Sequence, residues 1–169
     1  FFGTLVRAGV RVCLGHSMAT YAQTRAAMAE GLTGFTHLFN AMSQLTGPEP
    51  GAVGAAPDDP DSWWGIIVDG HHLPPATVKA IARAKSPERA ILVTHAIAAA
   101  GCPEGSYRIG DVDVEVGPDR RASLRGTPFL AGSAVSMPEA IGHAVRFTGL
   151  PLDDVLKMAS DVPSEDPHI

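Results

Sequence analysis

Four short apolar runs, rich in β-branched residues and each ending at or beside a histidine, constrain this chain more than any other feature. VRVCL at Val10–Leu14 is followed by Gly15-His16, and GFTHL at Gly34–Leu38 contains His37. WGIIV at Trp64–Val68 leads into Asp69-Gly70-His71-His72, and AILVT at Ala90–Thr94 leads into His95. Runs of this length bounded by turn formers read as buried strands. Between the first two, Thr20 with Gln23 three residues on forms a capping box for a helix that Gly31 closes. Between the last two, Pro74-Pro75 opens a helix with Val78, Ile81 and Ala82 on one face and Lys79, Arg83 and Lys85 left for solvent. In strand–helix–parallel strand units the carboxyl ends of the strands collect on one face, so all four histidines fall on one side of the sheet.

The strands start roughly every 25 to 30 residues, the period at which about 250 residues make eight βα pairs. The fold class read from this count is α/β, half of a (β/α)8 TIM barrel. Four parallel strands do not close a barrel, so the rest must come from upstream sequence or from a second copy of the chain. Residues 1–105 are assigned to the four βα units. Residues 106–131 alternate apolar and polar positions between Gly110-Asp111 and Gly117-Pro118 turns and read as a small antiparallel excursion. Residues 132–160 return to helices. One opens with a Ser136–Glu139 capping box and stops at Gly149; the next carries Leu152, Val155, Leu156 and Ala159 on its apolar side. Residues 161–169 read as a tail.

At 169 residues and 45% hydrophobic, the chain can bury a real core. A net charge of -5 without a basic cluster excludes nucleic acid and anionic membrane surfaces as partners. The longest apolar run falls short of the ~20 residues of a membrane helix. Two cysteines without metal-ligand spacing fit a reducing cytoplasm, with Cys13 a core residue of the first strand. The chain opens Phe1-Phe2-Gly3 rather than on methionine and is read as a fragment.

A lone histidine past a strand is more often a satisfied loop residue than a ligand, but four in register on the catalytic face of a barrel are another matter. Neutral imidazole suits zinc or iron, and a catalytic site takes three protein ligands and a water whose pKa falls to about 7. His16 and His37 supply two; His95 or a residue outside this chain supplies the third. His71 and His72 are adjacent, so one faces the substrate and the other the flank. His143 and His168 have ordinary readings.

The ordered motifs GHSMATY, THLFNAM, TGPEPG, GIIVDGHH, LVTHAIAAAG and LAGSAVSM resemble N-acetylglucosamine-6-phosphate deacetylase of the amidohydrolase superfamily, from Val10 to Ala159. The resemblance implies the C-terminal portion of a (β/α)8 barrel enzyme. It also implies a divalent metal, zinc or iron, hydrolysis of N-acetylglucosamine 6-phosphate to glucosamine 6-phosphate and acetate, and a homo-oligomer in the full-length family. It places metal ligation on His16 and His37, substrate contacts on Asn40, Ala41 and His72, and the lining of the sugar site on Leu130, Ala131 and Gly132.

Three departures bear on activity. The third metal ligand of the family, a glutamate, lies outside this sequence. The general-base aspartate of LVTDA is His95 here, so most activity is expected to be lost. The arginine of TGREPG is Pro48, which removes a guanidinium able to grip phosphate bidentately. A catalytically inactive fragment or association module, and a related amidohydrolase with another substrate, therefore stand as alternatives. Trp63 and Trp64 read as packing, Asp69 as a turn former, and the Gly- and Pro-rich stretch 47–57 as a loop with a lid role.

Overall fold

The four apolar runs pair in chain order as β1 (Val12–Leu14), β2 (Leu32–Phe35), β3 (Trp63–Ile67) and β4 (Ala90–Val93), all parallel. The structure, a computed structural model, describes residues 2–164. Side chains alternate across a strand, and the two faces of this sheet have different surroundings. Leu32, Trp64, Ile66, Ala90 and Leu92 are buried in the main core with Val78, Ile81, Ala140, Ala144, Val155 and Met158 from the helices. On the opposite face Cys13, Thr33, Phe35, Trp63, Ile91 and Val93 line an open groove of about 350 Å³ that runs up to His37 and His95. Cys13 is therefore exposed rather than a core residue, because β1 ends the sheet and its middle side chain faces the groove.

The helices are α1 (Phe2–Arg7), α2 (Tyr21–Ala29), α3 (Gly51–Asp58), α4 (Pro75–Ala84), α5 (Met137–Thr148), α6 (Leu152–Ala159) and α7 (Asp161–Ser164). Both capping boxes form. Thr20 accepts from the Gln23 amide while Gln23 accepts from the Thr20 amide, and Ser136 and Glu139 do the same at α5. Gly149 ends α5 at φ +78, where a side chain would be strained.

Four readings are corrected. The stretch taken as a loop contains α3, whose residues Gly51–Ala56 are all buried. Lys85 is not solvated: it is 5% exposed, and its ammonium donates to Ala56 O, Asp59 O and Ser62 Oγ. Leu152 and Leu156 are exposed, and α6 packs through Val155 and Met158 instead. The start of the supposed tail is helical as α7, while residues 165–169, with His168, lie outside the described residues.

The antiparallel excursion is a three-stranded sheet of β5 (Gly105–Ile109), β6 (Val112–Val116) and β7 (Ala122–Leu124). It has its own small core of Val114, Val116 and Ala122 with Ala99 and Ala134. Two adjacent backbone hydrogen bonds attach its return segment to the end of β4: Ser133 N donates to His95 O at 2.9 Å and Ile97 N to Ser133 O at 2.9 Å.

Candidate active site

Each histidine past a parallel strand is set by how its strand ends. Thr36 N donates to Leu14 O and Leu38 N to Gly65 O, both at 2.8 Å, so His37 is pinned between the end of β1 and the middle of β3. Its backbone is left-handed there, at φ +34, and His16 (φ +45) and His95 (φ +54) share that conformation. A non-glycine residue at positive φ is uncommon, and such strain concentrates at functional sites. Three of the histidines singled out in the sequence carry it.

The rings come together. His16 and His37 have centroids 4.9 Å apart, His37 and His95 5.3 Å, and His72 and His95 5.9 Å. His37 is 6% exposed, and its Nδ1 is buried without a hydrogen-bond partner. Burial lowers the pKa of both His37 and His95 and neighbouring imidazoles push the same way, against the pull of the His37 backbone at the first and of Asp69 at the second, so both are held towards the neutral imidazole. Among the described residues no group of three or more His, Cys, Asp or Glu side chains converges to hold a metal ion.

His71 and His72 have different surroundings. His71 Nε2–H donates to Asp119 O at 3.0 Å, tying the turn after β3 to the antiparallel sheet. His72 turns inward, and its Nδ1–H donates to Asp69 Oδ2 at 2.7 Å. Asp69 is more than the turn former read from the sequence. Its other oxygen accepts from His71 N (2.9 Å) and His72 N (2.8 Å). Burial alone would raise its pKa, but the hydrogen bonds from the His72 ring and the two amides outweigh this and hold the carboxyl well below the usual carboxylate range. Only the Asp-Gly turn signal was visible beforehand; the ring contact depends on a rotamer.

The other residues singled out in the sequence take the following places. Asn40 Nδ2 donates to His37 O (3.1 Å) and Leu38 O (3.2 Å), so its amide holds the turn and its oxygen remains as an acceptor. Ala41 follows at φ +51. Leu130 bridges to Ser123 and Ala131 N donates to Ala122 O, so both run beside β7, while Gly132 closes on the segment after β4, where a Cβ would lie 3.1 Å from His95 O and against Ile97 Cγ2. That approach requires glycine. Next to Pro48, Glu49 Oε1 accepts from Tyr21 N (2.7 Å) and Gly51 N (3.0 Å), joining the starts of α2 and α3. His143 does not join the cluster; its Nδ1–H donates to Val68 O at 3.0 Å.

Fold and site together define an α/β protein whose parallel sheet presents clustered imidazoles at its carboxyl edge, with a separate antiparallel sheet beside it. Its relatives are more specific. The chain is 40% identical over 161 residues to N-acetylgalactosamine-6-phosphate deacetylase of Escherichia coli O157:H7, covering 95% of this chain and 42% of that protein. It is 34% identical to N-acetylglucosamine-6-phosphate deacetylase of Vibrio furnissii, covering 93% and 39%. Among solved structures, N-acetylglucosamine-6-phosphate deacetylase of Pasteurella multocida superposes with a TM-score of 0.89 at 35% identity, over 97% of this chain and 42% of its own. A substitution variant of the Mycobacterium smegmatis N-acetyl-D-glucosamine-6-phosphate deacetylase, in complex with N-acetyl-D-glucosamine-6-phosphate, superposes with 0.85 at 43% identity, over 93% and 41%. No protein-family model matches the chain. These relatives and solved structures are named as deacetylases of N-acetylhexosamine 6-phosphates over 93–97% of this chain, which spans about 40% of their length.

Proposed function

We propose that this chain is the C-terminal portion of a metal-dependent amidohydrolase that cleaves the acetamide of an N-acetylhexosamine 6-phosphate, giving the amine and acetate in cytoplasmic amino-sugar catabolism. The parallel sheet is read as half of a (β/α)8 barrel. Residues 1–105 supply its βα units, 106–131 the excursion and 132–160 the closing helices. Metal ligation falls to His16 and His37, and the observation that carries the reading is the buried, unpartnered Nδ1 of His37 with the His16 ring 4.9 Å away. Neutral imidazoles this close are within reach of one ion, N–metal bonds being ~2.0–2.1 Å. Zinc or iron, when bound, supplies a Lewis acid for the carbonyl and a water of lowered pKa. With no third ligand converging among the described residues, the set is completed by residues outside this chain.

The chain's own groups take the remaining tasks. His95 stands at the general-base position, where it takes a proton from the attacking water and returns it to the leaving amine. His72 and the free oxygen of Asn40 meet the sugar phosphate, and residues 130–132 line the sugar. An imidazole there is bulkier than a carboxylate and, beside a bound cation, is open to recruitment as a ligand, so turnover is low. Two observations favour a broader substrate range than the glucosamine epimer alone. Pro48 offers the phosphate no charge, and the relatives include deacetylases named for the galactosamine epimer.

The test is His95→Asp in a chain extended with the upstream part of a relative. Acetate release should rise by ~10²- to 10⁴-fold, the contribution of a positioned acid-base group, with more of it from phosphorylated than unphosphorylated substrate. No gain from aspartate would remove His95 from the base position, and loss of bound zinc in His16→Ala or His37→Ala is required by the ligand assignment.

A further inference from the structure

We infer that Asp69 is a positioning residue that keeps a proton on His72 Nδ1, so that Nε2 is the nitrogen this ring presents to the substrate. The inference deepens the deacetylase reading and rests on it for the identity of what Nε2 meets. The turn-forming role of Asp69 accounts for only one of its two oxygens. Oδ1 accepts the amides of His71 and His72, which is what an Asp before Gly does in a turn. Oδ2 has no part in that turn and takes the imidazole Nδ1–H at 2.7 Å. Both side chains are nearly closed to water, at 5% exposed for Asp69 and 8% for His72. A buried ionised carboxylate accepts only, so the ring nitrogen facing it must carry hydrogen.

The consequence is a ring with a fixed and a free nitrogen. Nε2 is left free of that contact, on a ring whose centroid lies 5.9 Å from that of His95. It accepts from a hydroxyl or amide N–H when His72 is neutral and donates to a phosphate or carbonyl oxygen when it is protonated. Without Asp69 the ring would be free to carry its proton on Nε2, and such a ring shows the substrate a donor where an acceptor is needed.

Asp69→Asn separates positioning from turn formation. The asparagine oxygen still accepts the two amides, but its NH2 faces Nδ1, which must then accept, so the proton moves to Nε2. Two-bond ¹H–¹⁵N correlation spectra of the ring at alkaline pH, assigned with His72→Ala, should show Nδ1–H in the natural chain and Nε2–H in Asp69→Asn. An Nε2–H tautomer in the natural chain overturns the inference. In an extended, active protein, Asp69→Asn should raise KM at least tenfold with zinc content unchanged; a switched tautomer with unaltered KM overturns the assignment of Nε2 to the substrate. An Nδ1–H tautomer in an extended protein that releases no acetate would instead sink the deacetylase reading and leave the role of Asp69 standing.

Discussion

At the scale of single residues the molecule concentrates its unfavourable features where its chemistry is proposed. His16, His37 and His95 adopt left-handed backbone, and His37 buries an unpartnered nitrogen. Each costs free energy that the surrounding fold must offset. Asp69 works in the other direction. Its folded carboxyl titrates well below the value of ~3.9 it has when unfolded. It therefore stabilises the fold fully above that unfolded value, and the contribution is lost as pH falls through ~3.9 towards the folded value. Asp69→Asn should flatten this part of the acid limb: thermal unfolding between pH 3 and 7 should show the variant losing less stability on acidification than the parent. Parallel curves would mean the carboxylate is not held by the three hydrogen bonds described.

At the scale of elements, what the sequence made legible was whatever rests on local pattern. Thr20–Gln23 and Ser136–Glu139 declare helix starts through side chains that satisfy backbone groups three residues away, Gly149 declares a helix end through its left-handed backbone, and the structure bears them out. The strands were legible as apolar runs, although β2 lies two residues earlier than GFTHL suggests, which places His37 beyond the strand end. What escaped notice depends on long-range packing. Helix α3 carries two glycines and a proline in GAVGAAPD and has no polar face, because its first six residues are all buried. Propensity argues against a helix there, and only tertiary contacts make one. Lys85 looked like the last solvated residue of an amphipathic helix, yet it lies under the end of α3 as a donor to three oxygens. Burial lowers its pKa. Lys85→Met should leave those oxygens without their donor and cost ~1–3 kcal/mol in urea unfolding; a change within a few tenths would show that water replaces the ammonium. The candidate site was legible for the same reason as the strands, since its histidines sit at their ends, whereas the Asp69–His72 contact required a rotamer that no spacing encodes.

At the scale of the whole molecule, one face of the parallel sheet is sealed by helices and the other is open. Strands β1 and β4 each pair on one side only, and the groove between them is lined by Phe35, Trp63, Ile91 and Val93. Unprotected edges next to an apolar surface template association. The chain by itself should show concentration-dependent self-association in sedimentation velocity, and Ile91→Lys, which puts a charge in the middle of the β4 edge, should shift it towards monomer. An unchanged distribution would locate the contact elsewhere. The antiparallel sheet touches the site at two points, through Ser133 at His95 and through Asp119 at His71. Since His71 is gripped by that outlying sheet while the residue bonded to it reaches into the imidazole cluster, the dipeptide is a lever arm: a swing of the 117–120 turn would drag the His72 ring with it, and the peripheral module would set the alignment of a group it never touches.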